Sequence, residues 1–305
     1  LLITGSGYLS QLYINDGSGN FTLVSGTPFV GVFDGAVAFA DVDGDNDQDV
    51  LITGLNATHR SILYINDGNG NFTEQIGTPF TGVFRSSIAF ADTDGDNDQD
   101  VLITGYDNSY NKTAILYTND GNGNYTIVNG TPFTGVAYGS IAFADIDNDN
   151  DQDILITGRD NTSSKLASLY NNDGFGNFTE IIGTPFTMIQ RSSIAFTDID
   201  GDNDQDLLIT GTDNSIFISK LYINNPIPGC TDPTATNYDP LANTDDGSCT
   251  YCSFNELTVN VGGGTADNEI GWSFVELGGS WASASASAGI NTICLSDNCY
   301  VFNMY

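Results

Sequence analysis

The segment DVDGDNDQD, residues 41–49, carries an aspartate at every odd position of a nine-residue stretch. Three near-copies follow: DTDGDNDQD at 92–100, DIDNDNDQD at 145–153 and DIDGDNDQD at 198–206. The copies, which we call the acidic loops, begin 51, 53 and 53 residues apart. Self-similarity at a fixed period of this length indicates a tandem repeat architecture, in which each repeat is one supersecondary unit.

Short apolar runs rich in Ile, Val, Phe and Tyr surround each loop and are bounded by Gly, Asn and Asp, which predicts strands. In the second repeat we predict strand A at 87–92, B at 100–105, C at 115–119 and D at 124–128. The segment NDGNGNF between C and D supplies residues that tolerate the positive φ of a tight hairpin. Four antiparallel strands per repeat predict an all-β fold, a β-propeller of four-stranded blades.

We predict that the propeller repeats fill residues 1–225 as about five blades. We expect the ring to be incomplete unless the two partial blades at its ends complement each other. Stacked blades bury both faces of each sheet. The prediction places four equivalent phenylalanines of strand A in the core: Phe39, Phe90, Phe143 and Phe196. It places the phenylalanine of each GTPF segment between blades: Phe29, Phe80, Phe133 and Phe186.

The composition is strongly acidic, with 39 Asp and Glu against seven Lys and Arg and a formal charge of −32. Such a surface repels nucleic acids and anionic membranes and attracts cations. The sequence contains no run of about 20 apolar residues, so it predicts no membrane-spanning helix. All five cysteines follow residue 229. Their clustering predicts disulfides, and therefore an oxidising setting, secreted or at the cell surface.

The acidic loops have the alternating oxygen donors that Ca²⁺ requires. Side chains at positions 1, 3, 5 and 9 with the carbonyl at position 7 build an oxygen cage, and Mg²⁺ favours a smaller, more hydrated shell. Position 6 is always Asn, which tolerates a left-handed backbone. The alternative is a solvated acidic turn without metal. We predict about four calcium ions, with these candidate ligand residues: Asp41, Asp43, Asp45, Asp47, Asp49, Asp92, Asp94, Asp96, Asp98, Asp100, Asp145, Asp147, Asp149, Asp151, Asp153, Asp198, Asp200, Asp202, Asp204 and Asp206.

The stretch between strands B and C is the only part of the repeat that varies in length, and in an up-and-down blade it lies on the face opposite the acidic loops. The prediction makes this face a binding surface for a glycan or a protein. The main candidates are Tyr106, Tyr110, Arg159 and Lys165, beside Asp107, Lys112 and Asp160, with Arg85, Tyr138 and Arg191 on the D–A connections.

Catalysis is not expected from this chain. Its single histidine, His59, lies in a variable B–C stretch. With no second histidine, the sequence offers few candidate residues for a zinc site or a serine triad. A calcium-binding recognition module is the leading hypothesis. The alternatives are a structural spacer in a surface protein and a non-catalytic accessory part of a secreted glycan-active enzyme.

The pattern D-x-D-G-D-x-x-x-D, preceded by IAFAD and followed by LITG, resembles the FG-GAP or VCBS-type repeat of integrin α-subunit propellers and bacterial surface proteins. The resemblance covers about residues 1–225 and departs in having ITG where the integrin motif has GAP. It implies an extracellular, calcium-binding β-propeller with an adhesive role.

Residues 226–251 contain GCTDPTATNYDPLANTDDGSC, which is similar to an acidic Cys-flanked module of Bacteroidetes surface proteins and loosely to thrombospondin type 3 calcium repeats. The resemblance implies a Cys230–Cys249 disulfide. A plain disulfide-closed linker is the alternative to a calcium module with candidate ligands Asp232, Asp239, Asn243, Asp245 and Asp246. Residues 252–305 resemble the start of a β-sandwich-like module, in which the pairing of Cys252, Cys294 and Cys299 stays open.

Overall fold

The structure, a computed structural model, describes residues 1–5, 7–213 and 216–224, then 228–235, 237–238, 244–245 and 247–251, and the backbone of five strands between 255 and 304. Its regular elements are all strands, and the described residues contain no helix. None of them therefore forms a helix with the length and apolar character needed to cross a membrane. The chain divides into two compact units, Leu1–Asn224 and Asn225–Tyr305.

The first unit consists of antiparallel sheets that follow one another along the chain. The first sheet contains β1 (Leu2–Gly5), β2 (Leu9–Asn15) and β3 (Phe21–Leu23). Blade 1 contains β4 (Val37–Ala40), β5 (Asp49–Asn56), β6 (Thr58–Asn66) and β7 (Phe72–Glu74). Blade 2 contains β8 (Phe84–Ala91), β9 (Asp100–Tyr106), β10 (Lys112–Asn119) and β11 (Tyr125–Ile127). The short β12 (Val136–Ala137) precedes blade 3, which contains β13 (Ile141–Ala144), β14 (Asp153–Asp160), β15 (Lys165–Asn172) and β16 (Phe178–Ile181). The last sheet contains β17 (Gln190–Thr197), β18 (Asp206–Asp213) and β19 (Ile216–Tyr222).

The all-β, propeller-like prediction is confirmed, and each predicted strand of the second repeat has its counterpart in β8–β11. Strands of the B–C hairpins extend further toward the variable tips than predicted. The sequence did not indicate β12, whose Val136 pairs with Thr113 of β10 and with Asp160 of β14. This strand joins blades 2 and 3 through backbone hydrogen bonds, so these two blades are tied along an edge as well as by their faces.

The core lies between consecutive sheets because alternate residues of the same strand point to opposite faces. In β9, Val101 and Ile103 pack with blade 1, whereas Leu102 packs with blade 3. The phenylalanine of each GTPF segment reaches the next blade, as predicted. The ring of Phe80 lies 5.0 Å from that of Tyr117, whose hydroxyl accepts a hydrogen bond from the Thr81 N–H at 3.0 Å. The same contact recurs for Phe29, Phe133 and Phe186.

The core prediction was wrong for Phe39, which is 39% exposed. Its equivalents Phe90, Phe143 and Phe196 are partly buried against the interblade clusters. Phe90 faces blade 1, where strand β4 helps to cover it. Phe39 faces the first sheet, which has three strands and none that corresponds to β4. The prediction treated the repeats as identical, and this neighbour is not.

The second unit is described in part. It contains β20 (Pro228–Gly229) paired in parallel with β21 (Thr244–Asp245), β22 (Asn255–Val261) paired with β25 (Gly289–Leu295), and a sheet of β24 (Ala282–Ser287), β23 (Gly271–Glu276) and β26 (Tyr300–Met304). Cys230 and Cys249 form the predicted disulfide. The carboxylate of Asp232 accepts hydrogen bonds from Thr234 and from the Tyr251 hydroxyl. The side chains of Asp239, Asn243, Asp245 and Asp246 and the pairing of Cys252, Cys294 and Cys299 lie outside the described residues.

Candidate functional site

Each acidic loop is folded by its own first and sixth residues. In the first loop, the two oxygens of Asp41 accept hydrogen bonds from the N–H groups of Gly44 and Asn46, both at 2.9 Å. Asn46 has φ 69°, and its equivalents Asn97, Asn150 and Asn203 have φ between 69° and 74°. This confirms the prediction that position 6 adopts a left-handed backbone. The wrap turns the following side chains toward a shared centre.

The ninth aspartate is the most deeply buried acid of each loop. Asp100 has no exposed surface. One of its oxygens accepts from the N–H and hydroxyl of Thr93 at the second loop position, and the other accepts from the N–H of Asn119 at 2.8 Å. Burial raises the pKa of this carboxyl to about 6, against the hydrogen bonds from the Thr93 hydroxyl and the two backbone N–H groups, which lower it. The side chain therefore fastens the loop to the end of strand C in its own blade.

The asparagine that ends strand C links consecutive acidic loops, a role that the sequence analysis missed. The Nδ2 of Asn119 donates to the carbonyl of Val42 in the preceding loop at 2.8 Å. Asn172 and Asn224 make the same bond to Thr93 and Ile146, at 2.9 and 3.0 Å. The sequence signal for this role is the asparagine of the LYxN segment, which recurs in every repeat. The prediction used it only for the hairpin that follows.

Four clusters of carboxylates converge in these loops. One oxygen from each member lies within 4.8 Å of the others in the following sets: Asp41, Asp43 and Asp45; Asp92, Asp94 and Asp96; Asp145, Asp147 and Asp153; Asp198, Asp200 and Asp206. Two oxygens that share one Ca²⁺ at 2.3–2.6 Å lie at most about 5 Å apart. The clusters therefore have the span of a calcium coordination shell, and all four involve positions 1 and 3 with either 5 or 9.

Position 3 also presents oxygens without a partner. Oδ1 of Asp43 and Oδ1 of Asp94 are buried and have no hydrogen bond among the described residues. Burial, followed by the charges of neighbouring loop aspartates, raises the pKa of both carboxyls. Buried acceptors are normally paired, so an orphaned carboxylate oxygen aimed into an acidic cluster fits a cation.

In the first three loops the seventh aspartate lies against the C–D hairpin, away from the carboxylate cluster. The carboxylates of Asp47, Asp98 and Asp151 sit against the C–D hairpin glycines Gly68, Gly121 and Gly174, where a Cβ would come within 2.2–2.7 Å of a carboxylate oxygen. None of these side chains belongs to the converging clusters. Their membership in the ligand shell stays a prediction.

The repeats match a known family. Residues 41–103, 93–156 and 145–209 each match the sequence model described as the FG-GAP-like repeat, and together they cover more than half of the chain. The chain belongs to the FG-GAP-like repeat family. Proteins with these repeats are typically extracellular, and the repeats form recognition or adhesion modules of β-propeller type. The first three acidic loops of this FG-GAP-like repeat protein lie at the starts of the matched segments, and the fourth lies at the end of the third segment.

Curated relatives share only a short stretch with this FG-GAP-like repeat protein. It is 50% identical over 52 residues to ribulose bisphosphate carboxylase/oxygenase activase 1 of Larrea tridentata, which is 17% of this chain and 11% of that protein. It is 48% identical over 54 residues to the activase of Spinacia oleracea, again 17% and 11%. The chain thus spans about a tenth of the length of these relatives.

The face opposite the acidic loops holds the other predicted site residues. Tyr106 and Tyr110 lie together, with ring centres 6.4 Å apart, and Tyr110 is 68% exposed. Arg159 and Lys165 face each other across the β14–β15 hairpin. Both side chains make contacts within the repeats: Arg159 donates a hydrogen bond to the Ser163 carbonyl, and Lys165 forms an ion pair with Asp213.

An aromatic group surrounds the single histidine. His59 is buried, and its ring lies 4.5 Å from Phe84 and 5.4 Å from Tyr110. Lys112, which was predicted as a surface residue, is buried instead. Its ammonium donates to the Asp160 carbonyl at 2.6 Å and lies 5.2 Å from the Tyr106 ring centre. The B–C hairpins therefore pack on one another and present Tyr110 outward.

Proposed function

We propose that this FG-GAP-like repeat protein is a calcium-stabilised extracellular recognition module. The observation that carries the calcium assignment is the convergence of three carboxylate oxygens within 4.8 Å in each loop, with unpartnered buried Oδ1 atoms on Asp43 and Asp94. At this separation each pair of like charges repels by about 3 kcal/mol at an effective dielectric of 20. A divalent cation at the centre reverses this repulsion.

Calcium would act on the joints between blades as well as on single loops. The ninth aspartate fastens its loop to strand C, and the asparagine beside it bonds to the preceding loop. An ion that fixes one loop therefore fixes the anchor point of the next blade. This arrangement supports the proposal that calcium holds the repeats in one rigid stack.

Recognition of a glycan or a protein is assigned to the opposite face, where Tyr110 is exposed and the hairpins vary. A rigid scaffold that presents variable loops is typical of binding proteins. The proposal includes secretion or surface display and assigns no catalytic step to these residues. A structural spacer would keep the calcium loops but would have no ligand on this face.

Thermal unfolding with and without calcium tests the first part of the proposal. One loop at free calcium one hundred times its Kd contributes about 2.7 kcal/mol. This corresponds to a rise in Tm of roughly 5–11 °C in a domain of this size. An excess of EGTA should remove the rise, and Mg²⁺ should restore little of it. An equal Tm in EGTA and in calcium would refute the assignment.

A glycan array and a protein pull-down test the recognition part. Tyr110→Ala should weaken capture of the ligand, and Arg159→Ala tests the neighbouring blade. The exposed Phe175, in the C–D hairpin of blade 3, offers a matched control, Phe175→Ala. Calcium-dependent stability without any captured ligand would favour the spacer.

A further inference from the structure

Four equivalent residues share an unusual backbone where the D–A connections meet the following strand A. Asp34, Arg85, Tyr138 and Arg191 are spaced like the acidic loops and have φ of 50°, 49°, 56° and 50°. They are joined in order by backbone hydrogen bonds. The N–H of Arg85 donates to the Asp34 carbonyl at 2.6 Å, that of Tyr138 to Arg85 at 3.1 Å, and that of Arg191 to Tyr138 at 2.5 Å.

A left-handed backbone costs a residue with a side chain about 1–2 kcal/mol relative to the ordinary helix region, and glycine escapes this cost. The chain nevertheless has large polar side chains at these positions and glycine or serine at the next ones, Gly35, Ser86, Gly139 and Ser192. Retained strain of this kind is concentrated at ligand-binding sites. The choice of residues indicates that the four side chains have a use.

These side chains converge on a cavity. Asp34, Gly35, Arg85, Ser86, Tyr138, Gly139 and Arg191 line a space of about 440 Å³ that is largely open to solvent, which we call the central cavity. A volume of this order is typical of small-molecule sites. The strand β8 separates Arg85 at its start from Asp92 just beyond its end, so the cavity lies about 23 Å from the acidic loops at 3.3 Å per residue.

The central cavity has a net positive charge in an acidic protein, because Arg85 and Arg191 face one aspartate, Asp34. The chain has seven Lys and Arg against a formal charge of −32, and two of its arginines lie here. Both guanidinium carbons lie within 6 Å of the Tyr138 ring centre, at 4.5 Å for Arg85 and 5.7 Å for Arg191. Asp34 pairs with Arg85 at 3.1 Å. Arg191 has no side-chain hydrogen bond or ion pair within the described part of the first unit.

Aromatic rings continue outward from the cavity. The Tyr138 ring lies 6.1 Å from that of Tyr106, which lies 6.4 Å from that of the exposed Tyr110. Tyrosine rings offer flat apolar faces with a polar edge. A ligand that extends out of the central cavity would therefore meet a row of rings.

We propose that the central cavity binds the carboxylate of an acidic sugar unit in an anionic polysaccharide. Arg191 and the terminal N–H groups of Arg85, whose Nε pairs with Asp34, hold the carboxylate, because a guanidinium fork matches its two oxygens. The tyrosines stack on the faces of the adjoining sugar rings. The three rings are inclined to one another by 89° and 58°, so each can contact a different pyranose unit, whereas an acidic peptide offers them only short, flexible side chains. The inference rests on the recognition role proposed above and names its ligand class.

Isothermal titration calorimetry on the full chain tests the inference. The probes are tri-galacturonic acid, its neutral counterpart galactotriose, and a tri-glutamate peptide, at a calcium level that saturates the loops. The wild-type protein should bind the acidic sugar and neither of the others. Arg191→Gln should weaken binding about 10- to 100-fold, the loss expected for a charged hydrogen-bonding group. Arg85→Gln should act similarly. Arg60→Gln removes one exposed positive charge elsewhere and should leave affinity unchanged.

The outcomes separate this inference from the function it rests on. If the wild-type protein binds the acidic sugar and Arg191→Gln binds it equally well, the cavity assignment is wrong although recognition stands. Binding of tri-glutamate in preference to the sugar would overturn the ligand class. Binding of no probe by a protein that calcium still stabilises would overturn the inference and leave the calcium assignment intact.

Discussion

The substitution Asp100→Asn separates the two roles of the ninth loop residue, which are to accept buried hydrogen bonds and to supply negative charge to the calcium loop. Asp100 uses one oxygen for Thr93 and the other for the Asn119 N–H, and it faces a loop that we assign to calcium. An asparagine of the same shape keeps one acceptor oxygen but turns an NH₂ group toward the second backbone donor. It also removes the negative charge that a cation would balance.

The size of the effect follows from these contacts. A buried backbone donor without a partner costs about 1–3 kcal/mol, and hydrogen bonds to a charged group are the stronger kind. We expect a loss of roughly 2–4 kcal/mol in calcium, which lowers Tm by roughly 5–15 °C for a unit of this length. In EGTA the loss should be smaller, because burial opposes the charge of Asp100 and raises its pKa to about 6.

Differential scanning calorimetry at pH 7.5, with calcium and with EGTA, measures both values. Glu74→Gln removes the same charge from an exposed position on β7 and should change Tm little in either buffer. An equal fall in Tm in the two buffers would show that the carboxylate matters only for hydrogen bonding. No fall in calcium would refute the reasoning about the buried anchor altogether.

Three further predictions concern pH, the hairpin glycines and the interblade core. In EGTA, Tm should rise when pH falls from 7.5 to 5.5, because burial raises the pKa of the ninth aspartate to about 6 in each of the first three loops. The stabilisation that these protonated carboxyls give is fully present below about pH 4 and is lost as pH rises through 6. A fall in Tm would contradict this, and in calcium the rise in Tm should disappear, because protons compete with the ion. Gly105→Ala, in the B–C hairpin of blade 2, should cost at least about 1 kcal/mol more in urea unfolding than Gly130→Ala. Both glycines have positive φ, but only the Cβ at position 105 would meet backbone, the Phe84 carbonyl oxygen at 2.9 Å; equal costs would count against that packing. Phe133→Ala should cost about 3–5 kcal/mol and Phe175→Ala, at an exposed hairpin tip, almost nothing, again by urea unfolding; similar values would place the interblade core elsewhere.

The local features of this fold could be predicted from sequence because their causes are local. The alternation of Asp with a fixed Asn46-type residue determines the loop wrap within nine residues, and the strand runs around it are short and clearly bounded. The repeat period then predicted four strands per repeat and the position of Phe29 and its equivalents between blades. Each of these inferences needs only neighbours in the chain or in the next repeat.

The remaining features depend on contacts that one repeat does not contain. Asn119 bonds to Val42, 77 residues earlier, and nothing in LYxN alone distinguishes that bond from turn chemistry. Phe39 is exposed because the preceding sheet lacks one strand. Burial of Lys112 depends on the hairpin of the next blade. The central cavity needs four connections to meet, so its residues could be suspected as surface candidates but not assembled from sequence.

Calcium stoichiometry tests the central claim most directly. Isothermal titration of the EGTA-stripped, dialysed protein with CaCl₂ should show about four ions per chain, one for each acidic loop, with the count reduced by one when the carboxylates of Asp92, Asp94 and Asp96 are replaced by amides. Triple replacement of the exposed acids Asp67, Glu74 and Asp120 by amides should leave the count unchanged. A titration without saturable uptake, or a count that is indifferent to the loop carboxylates, would contradict the account.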